Sequence, residues 1–144
     1  MGMKWHKFQV YFNLWLSSVY GVLTGFAVIS GLQYGDMADE VYSYMEGLKT
    51  IDVIYGILLI GLAVWAVVTR FHLAAMRKTG IKCLLSMYWL NLAVELFYVV
   101  AAGMMAGAVL ETLTEMASNL AAIVLAYAIN RAYYAKREHL FTET

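Results

Sequence analysis

The chain has 144 residues, 62% of them hydrophobic and only 14% charged, a balance that excludes an ordinary water-soluble domain and suits a bilayer as solvent. Ten basic and ten acidic residues cancel, so no net field draws nucleic acid or acidic substrates. The single cysteine, Cys83, rules out an internal disulfide or a four-cysteine metal cluster and is expected to be a small buried apolar residue, and with no proline the chain lacks the usual device for breaking a span.

Lys4 and Lys7 precede the first apolar run, Phe8 to Leu32. This run exceeds the apolar segment of about 7 to 15 residues found in cleavable signals and has no small-x-small cleavage site, so it reads as a retained transmembrane helix. Along it Ser17, Gly21 and Gly25 recur every fourth residue, a spacing that lets helix backbones approach closely. Next, Met37, Val41, Met45 and Leu48 fall at helical spacing, which predicts a short amphipathic helix on the outer membrane surface. Asp36 is its expected cap, with Asp39 and Glu40 favouring the positive end of the helix dipole.

The second span is predicted over Ile51 to Thr69, continuing into the cytoplasm to about residue 79, with Gly80 as its C-terminal cap. Arg70, Arg77, Lys78 and Lys82 around that turn suit the negative end of the helix dipole. They also form a candidate contact for anionic lipid headgroups.

The third span, Cys83 to Leu110, holds the most informative residue of the chain. At about 1.5 Å rise per residue, Glu95 lies near the bilayer midplane. There the charged form loses its hydration and no lysine or arginine sits at the same depth, so the acid is expected to be neutral. Tyr88, Asn91, Glu95 and Tyr98 make a polar stripe that should face protein, with Asn13, Ser17, Tyr20, Thr24, Asn119, Tyr127 and Asn130 as possible partners on other helices. Glu95 either fixes helix register through a hydrogen bond contributing about 1 to 2 kcal/mol, or holds a proton or cation in a water-filled path. Gly103 and Gly107 form a second small-residue seam.

Thr112 and Glu115 have capping-box spacing ahead of the fourth span, Met116 to Tyr134, which a short cytoplasmic tail, 135–144, follows. With four crossings, nine of the ten basic residues fall on one side, and only Lys49 lies opposite. The other side carries Asp36, Asp39, Glu40, Glu46, Asp52, Glu111 and Glu115, so the positive-inside bias puts both termini in the cytoplasm. His6, His72 and His139 lie near the cytoplasmic side without the spacing of a ligand pair, so no metal or other cofactor is expected.

The stretches 4–12 (KWHKFQVYF), 47–59 (GLKTIDVIYGILL) and 135–141 (AKREHLF) resemble small four-span membrane proteins of Gram-positive anaerobic bacteria, a group without an assigned activity. The resemblance implies a bacterial inner-membrane setting and no mechanism. Some of that group carry a cysteine-rich zinc ribbon, which this chain lacks. The expected fold is all-α: a single integral membrane domain, 1–144, forming a four-helix transmembrane bundle. The expected function is non-enzymatic, through helix–helix assembly with itself or a membrane-protein partner. The alternative is a small oligomeric channel or transporter that uses Glu95. These differ in their demands, because a conduction path needs polar residues extending toward both faces, whereas an assembly element needs only local pairing at mid-depth. Span two shows little polarity, which argues against a wide pore within one chain.

Overall fold

A computed structural model describes residues 3–142. The first rod of the bundle starts as α1 (Lys4–Phe8), passes through a π-helical turn (Gln9–Asn13) and continues as α2 (Leu14–Ser30). A 3-10 segment (Leu32–Met37) and a short helix, α3 (Ala38–Tyr44), lead into α4 (Leu48–Ala74), α5 (Lys78–Ala106) and α6 (Val109–Ala135). A last 3-10 turn covers Glu138–Leu140. Four helical stretches are long and apolar enough to cross a membrane: Lys4–Tyr44, Leu48–Ala74, Lys78–Ala106 and Val109–Ala135.

The apolar side chains are arranged for hydrocarbon. Phe12, Leu16, Val19, Leu23 and Phe26 alternate by three and four along the first rod, and each is more than half exposed. A row of that size facing water would be a large exposed apolar patch. Small and polar residues instead face inward: Ser18, Asp52, Ala63, Ala66, Thr69 and Asn130 are buried.

Neighbouring helices pack in sequence, α2 on α4, α4 on α5 and α5 on α6. Helices α2 and α4 approach closely: a Cβ on Gly25 would stand 2.8 Å from the Gly56 carbonyl oxygen and one on Gly56 would stand 2.7 Å from that of Gly25. Gly21 sits against Ala63 and the Leu59 carbonyl in the same seam. Ser18 completes it, donating from its hydroxyl to the Ala63 carbonyl at 2.8 Å. Ser17, expected in this seam, lines a cavity instead.

The ends of the helices differ from the sequence expectation because the caps fall elsewhere. Helix α4 stops at Ala74, and Met76 takes the left-handed conformation (φ 56°). The Arg77 amide then donates back to His72 (3.1 Å) and the Met76 amide to Leu73 (3.0 Å), which closes the helix as a Schellman turn. Gly80 is therefore not a cap. It lies in the first turn of α5, where a Cβ would come within 2.7 Å of the Leu73 nitrogen, so its role is close approach of two chains at the hairpin.

At the opposite end Gly107, expected to line a packing seam, is itself the left-handed cap of α5 (φ 66°), and, its chain neighbours aside, no atom of the described residues lies within 4 Å of its would-be Cβ. Gly103 does pack closely, against Val109 at the start of α6. The capping box also gives way: α6 already begins at Val109, and the Thr112 hydroxyl donates to the Ala108 carbonyl within the helix (2.8 Å). Asp36 makes no cap for α3, which Met37 precedes without a side-chain hydrogen bond. Cys83 is half-buried, with its carbonyl accepting from Trp65 Nε1 at 3.1 Å.

Both chain ends and the α4–α5 turn meet at one end of the bundle. The Lys78 amide donates to the Thr142 carbonyl and the Thr142 amide to the Met76 carbonyl, each at 2.8 Å. Phe141 is buried there against His6 and Tyr134. Of the predicted tail, residues 143 and 144 lie outside the described residues, as do 1 and 2 at the start.

Candidate functional site

The polar residues of the bundle form three connected groups along its length. The first lies at the basic end. Gln9 Nε2 donates to Asn130 Oδ1 at 2.9 Å, Trp5 Nε1 donates to the same oxygen at 2.9 Å, and the Asn130 amide donates to the Tyr88 hydroxyl at 3.3 Å. Asn13 Nδ2 donates to Gln9 Oε1 at 2.7 Å, and His6 Nδ1 lies 3.1 Å from the Tyr134 hydroxyl. Gln9 and Asn130 are each 1% exposed, so both amides depend on these partners.

The π-helical turn explains how Gln9 comes to face inward, since an extra residue in a helical turn rotates what precedes it. It also leaves the Val10 carbonyl to accept from Arg70 Nε at 3.1 Å. The Arg70 guanidinium lies over Trp15, 4.8 Å from the ring centroid, and over Phe71 at 5.2 Å. Arg70, expected to meet lipid headgroups, thus ties two helices together, whereas Arg77 and Lys82 are exposed and Lys78 is half-buried. Asn130→Ala removes the acceptor shared by Gln9 and Trp5. Stability is expected to fall by about 1 to 3 kcal/mol for the buried donors left unpaired, with faster amide exchange over residues 4–13; exchange at the parent rate would contradict the network's role.

The second group surrounds a cavity of about 480 Å³ in the middle of the bundle. Glu95 and Asn91 of α5 face it, as do Asn13, Ser17, Tyr20 and Thr24 from the first rod and Asn119 from α6. These are five of the seven partners the sequence offered. The hydrogen bond to Glu95, however, comes from Tyr55 of α4, whose hydroxyl donates to Oε1 at 2.6 Å. Span two, which looked short of polarity, supplies the carboxyl's direct partner. Among the described residues, no lysine, arginine or histidine lines this cavity. Tyr88 and Asn13 also line it, so the cavity rests directly on the Gln9–Asn130 network.

The third group lies at the acidic end and is the one sequence reasoning missed. Asp52 was placed among the outer acidic loop residues, but it is fully buried in the second turn of α4. Its Oδ2 accepts from Tyr42 (2.8 Å), Tyr34 (3.1 Å) and Gln33 (3.2 Å), which anchors α3 and the 3-10 segment over this end of the bundle. Among the described residues its Oδ1 has no partner. Leu48, Asp52, Tyr55 and Leu59 are all buried at helical spacing, so extending the buried face of α4 backward from Tyr55 would have found Asp52.

The predicted stripe on α5 is therefore divided. Tyr88 joins the basic-end network, Asn91 and Glu95 line the cavity, and Tyr98 stacks on Tyr55 with ring centroids 4.2 Å apart. Tyr127 lies apart from these, edge-on to Trp89 at 5.3 Å. Comparisons with protein-family models, curated proteins and solved structures give no match for this chain.

Proposed function

We propose that this is a non-enzymatic multi-pass membrane protein that carries a proton or small cation through the bundle, with Glu95 as its central site. The supporting observation is the distribution of polar side chains. They extend from buried Asp52 at one end, through Tyr55 and Glu95 beside the cavity, to Gln9 and Asn130 at the other. A register-fixing hydrogen bond would need only the Tyr55–Glu95 pair. A cavity of this volume, lined by one carboxyl group and several amides and hydroxyls, accommodates water that can exchange with that carboxyl.

In this reading Tyr55 is a positioning residue, holding one carboxyl oxygen of Glu95 through its 2.6 Å bond. Asn91 and Asn119 solvate whatever the carboxyl binds. The amides of Asn13 and Gln9 continue the polar path toward the basic end. By the positive-inside bias that end is cytoplasmic and α3 covers the outer end; the resemblance of 4–12, 47–59 and 135–141 implies a bacterial plasma membrane. The exposed Arg77 and Lys82 suit anionic headgroups on the cytoplasmic leaflet.

Assembly remains a second reading, favoured by α6. Among the described residues of that helix only Asn130 and Tyr134 are buried, and Asn119 is exposed near its middle. A second copy packed across α6 would cover this exposed face. The small-residue seams do not favour assembly, because Gly21, Gly25 and Gly103 are all used within the chain.

Reconstitution into liposomes bearing an imposed pH gradient, read with an internal pH-sensitive dye, tests the transport reading. Dissipation faster than in protein-free liposomes is expected. A rate equal to the protein-free leak, at verified incorporation, would overturn it.

A further inference from the structure

The cavity's shape and lining name the kind of substrate it would take. Its side between α2 and α6 is not closed by packing: Tyr20 lines the cavity and is yet 69% exposed, and Asn119 and Ala122 line it from exposed positions on α6. The two helices flanking this opening make no extensive contact with each other, in contrast to the α2–α4 and α5–α6 pairs. With both rods spanning the membrane, the opening faces the hydrocarbon and not either aqueous phase. The far wall holds Glu95, and the rings of Tyr20, Tyr55 and Tyr88 border the same space.

One acid, several aromatic faces, neutral amides and no competing cation are the groups that recognise a positive charge on an apolar body. A volume of about 480 Å³ is in the range of small-molecule sites and far larger than a bare metal ion or proton requires. An inorganic ion reaching Glu95 from the lipid side would also have to shed its water in hydrocarbon, whereas a delocalised organic cation partitions there.

We propose that the cavity binds a monovalent lipophilic organic cation, admitted from the bilayer between α2 and α6, in exchange for the proton on Glu95. This rests on the reading of Glu95 as a proton or cation site. In the exchange, the Glu95 carboxyl releases its proton to water in the cavity and the resulting carboxylate pairs with the incoming cation. One proton leaves for each cation bound, and the site's charge balance is unchanged. Among the described residues the titratable groups around Glu95 are Tyr20 from α2, Tyr55 from α4, and Tyr88 and Tyr98 from its own helix, and α6 presents Asn119 and apolar residues to the cavity. Among the described residues Glu95 is the one carboxyl group lining the cavity, so it is the group that sets the pH dependence.

Equilibrium binding of tetraphenylphosphonium to the purified protein in lipid nanodiscs, with proton release followed in weakly buffered solution, tests this. Saturable binding is expected, with about one proton released per cation and affinity falling about tenfold per pH unit on the acid side. The isosteric anion tetraphenylborate should not compete. Glu95→Gln should weaken binding by about 100-fold or more. Ala122→Trp, at the mouth of the cavity, should obstruct the opening and abolish saturable cation binding.

Flux that depends on Glu95 without tetraphenylphosphonium binding would overturn the proposed substrate and leave the transport reading standing. Binding that is indifferent to Glu95→Gln, or matched by tetraphenylborate, would overturn the substrate as well. Neither binding nor flux would overturn both.

Discussion

Glu95→Gln is expected to reduce proton flux in liposomes to the protein-free leak while leaving the bundle folded. The two outcomes separate because glutamine has the same shape and keeps a carbonyl oxygen to accept from the Tyr55 hydroxyl, which is 2.6 Å from Oε1. What the variant loses is the ability to take up and release a proton. No lysine, arginine or histidine lines the cavity among the described residues, so no neighbouring group can substitute. A loss of at least about tenfold is expected for removing a proton-transfer group, whose contribution commonly falls at 100-fold or more. Circular dichroism and thermal unfolding in detergent would show the parent profile. Parent-rate flux from the variant would mean that Glu95 only sets helix register.

Gly56→Val is expected to be the most damaging substitution for the fold. A Cβ there meets the Gly25 carbonyl oxygen at 2.7 Å and Ile29 Cγ1 at 2.5 Å. The isoleucine can rotate, but the carbonyl belongs to helix α2 and moves only if the helix does. Because Gly25 meets the Gly56 carbonyl reciprocally at 2.8 Å, the two backbones must separate along the whole crossing. Overpacking of this kind costs about 1 to 3 kcal/mol, and more where backbone must shift. The lost contacts between α2 and α4 come on top, so a fall of about 3 kcal/mol or more is expected. Gly61→Val is the control: it lies on the same helix, and nothing stands within 4 Å of its would-be Cβ. That change should alter stability by no more than about 0.5 kcal/mol. Unfolding in mixed micelles distinguishes them; equal stability for the two variants would remove the seam from the account.

Much of this arrangement was legible in the sequence for a physical reason. Hydrocarbon imposes a minimum apolar length and forbids unpaired backbone, so four runs of sufficient length read as four helices. Charge placement marked which turns share an end, and the Thr142 pairing with Met76 and Lys78 joins that end in space. Helix ends were less legible because they depend on which residue accepts the left-handed conformation. Gly80 looked like a cap, but Met76 takes that conformation, and glycine is needed at position 80 for contact with Leu73.

At the site, Glu95 announced itself by its depth, and Asn13, Ser17, Tyr20, Thr24 and Asn119 by polarity within apolar runs. Tyr55 did not, since a tyrosine near a span end reads equally well as an interfacial anchor. Gln9 was hidden by the π-helical turn, which straight helical periodicity cannot anticipate. Asp52 was hidden by its company: near a span boundary and close to other acids, it looked like part of a solvated loop.

Transport through Glu95 requires that polar space reach it within the membrane. Thiol accessibility measures it directly, because methanethiosulfonates react with the thiolate and so report water. Cys83 is the chain's only cysteine, so Cys83→Ser gives a clean background. In it, Asn119→Cys, on the cavity wall, is compared with Val124→Cys, which lies on the same helix but is absent from the cavity lining. In liposomes, a small permeant cationic methanethiosulfonate should modify position 119 rapidly and position 124 negligibly. Equal inertness at both positions would contradict a hydrated cavity around Glu95.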